Sequence, residues 1–268
     1  MSSRWTVAIC RLFLVMSLLG LKSTHRPHIR SEMAADIDIS FDFRTDTPVG
    51  KDPDSFSPTL RRYHKRLWSK QLPSGDFFLL DDSKSGAYLY HQSKLGEFFL
   101  SSDSAIHSFS RWKSMAHIIA HFSEDEIEGF RRLGYTMGGM IIFPANRIDG
   151  KSTINGARGF HYLIRDRIDL TLECIRRHYL AEQSPLGDVI ERYADFFALF
   201  GDFIGYVEFF LLQDLVSEDF SGIKFFMPFH NFTTSAVPNS VDSYSAYKTA
   251  VMQFIELRNQ RIFSSIAS

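Results

Sequence analysis

The segment from Asn155 to Tyr179 constrains the fold most, because it combines many charges with two apolar stripes. It holds five arginines and three acids. At about 100° per residue, its apolar side chains fall into two arcs. The first arc is Ile164, Ile168, Leu172, Ile175 and Tyr179, and the second is Leu163, Leu170 and Cys174. A helix covered on two sides leaves little water for its charges. We therefore predict an enclosed helix from Gly159 to Tyr179.

Arg167 is the most unusual residue of this predicted helix. It projects with His178 into the narrow gap between the two apolar arcs, where a charge is costly unless a carboxylate or phosphate meets it. One interpretation is a structural ion pair with an acid of the following helices. The candidate acids are Asp195, Asp202, Glu208 and Asp214. The other interpretation is a clamp for an anionic ligand.

The start of the predicted helix is a candidate anion site. The motif N-G-A-R-G places flexible backbone and Arg158 close to a helix N-terminus, where free N–H groups favour an anion. We predict ligand binding by Asn155, Arg158, Arg165 and Arg167, and a catalytic base at Asp169 or Glu173. Two simpler interpretations stay open: the glycines only shape a turn, and the acids belong to a solvated ladder of salt bridges.

Composition sets the class of protein. A chain of 268 residues with 44% hydrophobic residues and 26 phenylalanines has enough apolar area for a sizeable core. The net charge of −1 gives no overall field for a polyanion, so the sequence carries no strong nucleic-acid signal. P-loop and G-x-G-x-x-G motifs are absent, and we predict no cofactor. Two cysteines offer neither a disulfide framework nor metal spacing, which favours a cytoplasmic location.

The first half of the chain reads as strand-rich. Alternation predicts a strand at 37–43, and short strands at 77–80, 87–91 and 97–100 form a plausible antiparallel meander. Two local signals predict helix starts: Ser57 before Pro58, and the capping box of Ser123 with Glu126. A strand is predicted around Gly138 and Gly139 and ends at Pro144, and the glycine pair indicates either a bulge or close backbone approach.

The second half reads as helical. Helices are predicted at 189–200 and 203–216, with a terminal helix along the apolar stripe from Tyr244 to Ile262, while 223–229 returns to the sheet. The expected fold class is α+β: a single domain at 33–268, with a strand-rich N-terminal half packed on a helix-rich C-terminal half. No membrane segment is expected within 33–268.

Residues 1–32 form a separate N-terminal extension. Their uninterrupted apolar run, 12–21, is too short to span a bilayer by itself. The extension fits three interpretations: a signal peptide, an anchor-like segment, or residues upstream of a true start at Met33, where composition changes abruptly.

Two further patterns suggest metals without establishing them. His117 and His121 share the spacing of helical metal ligands, but no third ligand is evident. Asp42, Asp46, Asp52 and Asp54 could hold a hard cation, but Arg44 and Lys51 lie among them and the spacing is not that of an EF-hand, which favours a solvated loop. We predict no metal site.

Several longer motifs together resemble an uncharacterised bacterial family catalogued as a domain of unknown function. They are F-D-F-R-T-D-T-P-x-G-K-D-P-D-S-F-S-P-T-L-R-R-Y-H, G-E-F-F-L-S-S-D-S, N-R-I-D-G-K-S-T-I-N-G-A-R-G, D-R-I-D-L-T-L-E-C-I-R-R-H-Y and G-Y-V-E-F-F-L-L-Q-D-L-V, spread over residues 41–229. The resemblance implies a single-domain, cytosolic bacterial protein and carries over no activity.

Two functions remain as hypotheses. The first is a cytosolic enzyme or binding protein for a small anionic ligand, either phosphorylated or nucleotide-like. The second is a non-enzymatic interaction or scaffold protein that forms a homo-oligomer through its Phe-rich second half.

Overall fold

Two small antiparallel sheets and ten α-helices are found within residues 37–267, which the computed structural model describes. The strands are β1 (Lys70–Gln71), β2 (Phe77–Phe78), β3 (Leu89–Ser93), β4 (Gly96–Ser104) and β5 (Met140–Pro144). The first five helices are α1 (Pro53–Phe56), α2 (Pro58–Trp68), α3 (Ala116–Ile119), α4 (Glu124–Gly134) and α5 (Ile154–Phe160). The others are α6 (Ile168–Tyr179), α7 (Gly187–Glu191), α8 (Ala194–Ala198), α9 (Phe203–Phe209) and α10 (Val241–Ala267).

The larger sheet positions the polar residues described below. Its order is β3-β4-β5, with Leu89 opposite Leu100 and Ser104 opposite Met140. All of β5 is buried, as expected for a strand that is covered on both faces. The strands precede most of the helices and both sheets are antiparallel, which confirms the α+β prediction. The predicted meander is confirmed only for β3 and β4, because β2 pairs with β1 in the smaller sheet.

Several local signals are confirmed. Ser57 caps α2 through Leu60 N–H at 3.1 Å, with Pro58 at the first helical position. Ser123 and Glu126 form the reciprocal capping box of α4. These motifs are predictable because each depends only on residues within one helical turn.

The predicted strand at 37–43 is wrong, because these residues form turns. The Asp38 carboxylate accepts from Ser40 N–H at 2.8 Å, and Asp42 accepts from Arg44 N–H at 3.0 Å. Such local side-chain bonds hold the backbone in turns in place of a strand ladder. The prediction that 223–229 returns to the sheet is also wrong, since Ile223 makes only an isolated bridge with Val216.

The long central helix is interrupted. α5 ends at Phe160 and α6 begins at Ile168, so the predicted continuous rod from Gly159 is wrong. Arg165 and Asp166 adopt left-handed φ values of 50° and 57° in the connection. Apolar periodicity cannot reveal such a break, because tertiary contacts override it.

Two other helix predictions are corrected in length. Residues 189–200 form α7 and α8, separated near Tyr193, whose hydroxyl donates to Asn146 O at 2.8 Å. Residues 203–216 form α9 and a 3₁₀ turn, and Leu211 between them has a φ of 54°. The Phe-rich segment is thus folded into short helices.

Its rings pack inside the protein. Phe78, Phe196, Phe200, Phe209 and Phe210 are buried, and the ring centre of Phe200 lies 5.0–6.1 Å from those of the other four. These separations are those of favourable aromatic pairs. The aromatic area expected from composition is therefore used largely in the core.

Arg258 ties the terminal helix α10 to this core, and within residues 37–267 it has no carboxylate partner. It is fully buried and donates to the carbonyls of Gly138, Met140 and Phe210 at 2.8–3.0 Å. Burial lowers the pKa of Arg258 to about 10. Three carbonyl acceptors replace part of the water that the guanidinium loses on folding.

The predictions for the N-terminal extension, residues 1–32, lie outside the residues that the structure describes. Within residues 37–267, no helix is long and apolar enough to cross a membrane.

Gly138 provides a direct stability test. A Cβ there would lie 2.5 Å from Ile255 O, whereas a Cβ at Gly129 in α4 would meet nothing within 4 Å. We expect Gly138→Ala to lower the free energy of unfolding by about 1–3 kcal/mol through overpacking. Gly129→Ala, the control, should raise it by about 0.5–1 kcal/mol through helix propensity. Urea denaturation measures both, and equal effects would contradict the close approach of α10.

Candidate active site

A cavity of about 350 Å³ opens beside the C-terminal end of β4. Its lining combines four carboxylates, two guanidinium groups, one imidazole and two large aromatic rings. The polar and aromatic lining residues are Asp52, Asp54, Asp103, Ser104, His107, Ser108, Arg111, Trp112, Arg131, Tyr135 and Asp166. This volume suits a small ligand, and the mixture of groups suits a polar one.

Two of the carboxylates share one hydrogen-bond donor. The Ser104 N–H lies 3.2 Å from Asp54 Oδ2 and 3.0 Å from Asp103 Oδ1. Asp54 comes from α1, where Asp52 caps the helix, and Asp103 comes from β4. Two elements far apart in sequence therefore bring together a carboxylate pair.

Asp54 is the member without a cationic partner. Its Oδ1 is buried and finds no hydrogen-bond partner within the described residues. Burial, followed by the charges of Asp103 and Asp52, raises the pKa of Asp54 well above its usual range. The raised pKa favours the neutral acid form of Asp54, which can donate a proton or a hydrogen bond.

Asp103 differs because it has a guanidinium partner. Burial raises the pKa of Asp103 to about 7; Arg158 opposes that rise and Asp166 adds to it. A carboxyl with this pKa exchanges protons readily near neutral pH, as a general acid or base must. Strongly perturbed carboxyls in a cavity are typical of catalytic sites.

Arg158 holds Asp103 from inside the protein. Its side chain is fully buried, and Nη1 forms a short ion pair with Asp103 Oδ2. Nε donates to Thr171 Oγ1 at 2.9 Å, and Nη2 donates to Asp166 O at 3.2 Å. The guanidinium is engaged on all sides, so it orients the carboxylate and leaves no free edge for a ligand.

The connection between α5 and α6 delivers Asp166 to the cavity. A Cβ at Gly159 would lie 3.2 Å from Asp166 Oδ2, so α5 and this carboxylate pass close together. The guanidinium of Arg165 lies 5.4 Å from the centre of the Trp112 ring, which lines the cavity. Consecutive left-handed residues are uncommon outside glycine, and such backbone strain is typical of functional sites.

The cavity also offers hydrogen-bond donors. Arg111 is exposed and makes no hydrogen bond or ion pair with the part of the chain that the structure describes, while Arg131 pairs with Glu128 at 2.9 Å. His107 Nδ1 accepts from Phe109 N–H at 2.8 Å, which leaves the proton of the neutral ring on Nε2. Burial lowers the pKa of His107 and keeps this ring neutral.

The structure separates the residues predicted from sequence. Asn155 and Arg158 both meet the end of β4, with Asn155 Nδ2 donating to Ser101 Oγ at 2.9 Å, but neither lines the cavity. Arg165 contacts the lining residue Trp112 without lining the cavity itself.

Arg167, Asp169 and Glu173 lie in a different environment. Arg167 pairs with Asp169 at 3.1 Å and also donates to Ala236 O at 3.1 Å. The expectation of a partner from the following helices is therefore wrong, because the N-cap position of Arg167 places it beside an acid in its own first turn. Glu173 binds Arg176 and Arg177 at 2.8 and 2.7 Å.

Sequence reasoning missed the carboxylate pair. From the sequence, Asp54 was assigned only to an acidic loop, and Asp103 was assigned no role. The available signal was a polar S-S-D-S run at the end of an apolar strand. That signal does not indicate which distant acid will meet Asp103.

A buried serine–histidine pair near the site lacks the geometry for nucleophilic catalysis. His64 Nε2 lies 2.9 Å from Ser102 Oγ, while Trp68 Nε1–H donates to His64 Nδ1 at 3.0 Å. Because Nδ1 accepts, the neutral ring carries its proton on Nε2 and cannot remove one from Ser102. Burial lowers the pKa of His64 to about 3, which keeps the ring neutral.

The residues of the two possible metal sites are not arranged as metal ligands. α3 ends at Ile119, so His117 and His121 do not share one helix. Asp42 pairs with Arg44, and Asp46 accepts from Ser57 Oγ at 2.6 Å. Residues 37–267 contain no group of three or more His, Cys, Asp or Glu side chains arranged to hold a metal ion.

Arg158→Ala tests the buried pair. Removing the guanidinium leaves Asp103 without its partner, and we expect a loss of about 3–5 kcal/mol in the free energy of unfolding. Arg165→Ala removes only a contact with Trp112 and should cost about 0.5–1 kcal/mol. Guanidinium chloride denaturation of both variants decides this, and similar losses would argue against a central role for Arg158.

The carboxylate pair predicts an unusual pH dependence of stability. Unfolded aspartates lose their protons near pH ~4, whereas folded Asp54 and Asp103 keep theirs to higher pH. The folded state then binds more protons, so its stability should fall as pH rises from about 4 to about 7.

Asp54→Asn should flatten this fall and stabilise the protein at pH 8, because the amide does not ionise. The exposed Asp195→Asn is the control and should leave the wild-type profile unchanged. Denaturation at a series of pH values measures all three proteins, and parallel profiles for Asp54→Asn and wild type would refute the raised pKa.

Comparison with known proteins gives a family but no activity. No curated protein and no solved structure matches the chain. A family model described as "Family of unknown function (DUF6994)" matches residues 37–262. This match covers most of the chain and contains both carboxylates of the pair. The chain belongs to this family of unknown function.

Proposed function

We propose that the protein is an enzyme that carries out acid–base chemistry on a small phosphorylated or nucleotide-like ligand in the 350 Å³ cavity. The observation that carries this proposal is the pair of Asp54 and Asp103 around the Ser104 N–H. Asp54 is the proton donor and Asp103, with a pKa of about 7, is the base.

The lining supports a ligand with both hydroxyl and phosphate groups. Ligand hydroxyls donate to Asp103 and accept from the protonated Asp54, whose Oδ1 has no partner within residues 37–267, and a phosphate pairs with Arg111. Sugar phosphates and nucleotides combine these groups. The anion partner in this proposal is the exposed Arg111, because Arg158, Arg167 and Arg131 are already paired with internal acids.

The non-enzymatic interaction protein is the second candidate. Phe160 is 86% exposed and Tyr162 is 67% exposed, so the α5–α6 connection presents apolar area to solvent. In this candidate that pair, and not the buried Phe-rich segment, supplies the contact in a homo-oligomer. Sedimentation of Phe160→Ser and wild type at several concentrations tests it, and a concentration-independent monomer for wild type would remove it.

We also propose a bacterial, cytosolic protein. Two findings support this: the resemblance of the sequence motifs, and Cys174, which is buried and unpaired, with a pKa raised to about 12 by burial. Such a thiol is unreactive and needs no oxidising compartment.

Binding of defined probes tests the proposed ligand class. Ribose 5-phosphate and AMP should bind, whereas ribose and adenosine should bind at least about 10-fold more weakly because they lack the phosphate. Arg111→Ala should weaken the two phosphorylated probes by a similar factor. Lys113→Ala, an exposed change outside the cavity, should leave calorimetric affinities unchanged. Equal binding of the phosphate-free probes would contradict the proposal.

Turnover of the same probes tests the chemistry. NMR of mixed phosphate esters identifies a converted substrate, and Asp103→Asn should lower its kcat by about 10²–10⁴-fold, the usual contribution of a general base. Its affinity should stay within a few fold. Conversion by Asp103→Asn at the wild-type rate would exclude this base.

A further inference from the structure

A second cavity, of about 430 Å³, lies at the opposite end of the β3–β4 hairpin from the carboxylate pair. The turn between β1 and β2, the turn between β3 and β4 and the end of α8 enclose it. Its apolar lining residues are Leu72, Phe77, Leu95, Ala198 and Leu199. Phe77 and Leu95 are exposed, so the mouth of the cavity is apolar.

The polar lining residues are Ser74, Asp76, His91, Gln92, Ser93 and Lys94, and His91 is the only one of these six that is buried. His91 is 2% exposed, and its Nδ1 lies 3.0 Å from Leu79 O. A carbonyl only accepts, so Nδ1 carries the proton and Nε2 is an acceptor. Nε2 is buried and has no partner within residues 37–267.

The surroundings keep His91 as an acceptor. Its ring stacks on Phe98 at 6.2 Å and contacts Phe78 at 4.2 Å. Burial lowers the pKa of His91, so the ring stays neutral and Nε2 keeps its lone pair. A buried acceptor without a donor is costly, and a ligand that supplies the donor recovers that cost.

We propose that this cavity binds a small, mainly apolar molecule that carries one hydroxyl or N–H donor, and that His91 Nε2 accepts from that donor. The five apolar lining residues contact the apolar part of that molecule, and His91 is the one lining residue whose buried acceptor has no partner within residues 37–267. The proposal does not depend on the chemistry at Asp54 and Asp103.

Phenol and toluene form a matched pair of probes, because they share a ring and differ only in that phenol has a hydroxyl where toluene has a methyl group. The full chain, labelled with ¹⁵N, should bind phenol about 2- to 10-fold more tightly than toluene, the fold-change expected of one hydrogen bond. Phenol should also shift the ¹⁵N resonance of His91 Nε2, and toluene should leave it almost unchanged. Equal affinities, or an Nε2 resonance that ignores phenol, would overturn the proposal.

Two variants provide the control. His91→Phe keeps the ring but removes the acceptor, so its preference for phenol should vanish while toluene still binds. His91→Gln retains a carbonyl acceptor and should keep part of the preference. If His91→Phe does not fold, the wild-type comparison of the two probes still decides, and a full preference in a folded His91→Phe would contradict the role of Nε2.

Discussion

The ion pair between Arg158 and Asp103 is the constraint on which the polar half of the structure depends. A fully buried guanidinium is costly unless its donors are matched, and here the carboxylate, a threonine hydroxyl and backbone carbonyls match them. These acceptors come from β4, from α6 and from the connection before α6. Arg158 therefore fixes where three separate segments meet, and its cost of burial falls only if all three are in place.

The break in the central helix follows from that constraint. Because Arg158 donates to Asp166 O, the chain after α5 must turn back toward its own last helical turn. Two consecutive left-handed residues, Arg165 and Asp166, make this turn. The reversal brings the Asp166 carboxylate to the cavity and leaves Arg167 to pair with Asp169. A continuous helix would have carried Asp166 elsewhere and separated it from Asp103.

How far the sequence predicts the structure depends on the range of the interaction. Ser57, Ser123 and the pair of Gly138 and Gly139 were interpretable because their partners are close in sequence or because glycine marks backbone contact. The interruption of the central helix could not be predicted from the sequence, since it is set by a contact to β4. In the candidate site, Asn155 and Arg158 were noticed as unusual, but the meeting of Asp54 with Asp103 depends on tertiary packing that no local pattern encodes.

The asymmetry of the carboxylate pair is what suits it to acid–base chemistry. Both acids are half-buried and share one N–H donor, so two negative charges there would repel each other at short range. Of the two acids, Arg158 pairs only with Asp103, and it therefore stabilises the ionised form of Asp103 and not that of Asp54. Protonation is then assigned by position: Asp54 keeps its proton and Asp103 loses one first. Because Arg158 contacts only one acid of the pair, the arrangement favours a proton donor at Asp54 and a proton acceptor at Asp103 before any ligand binds.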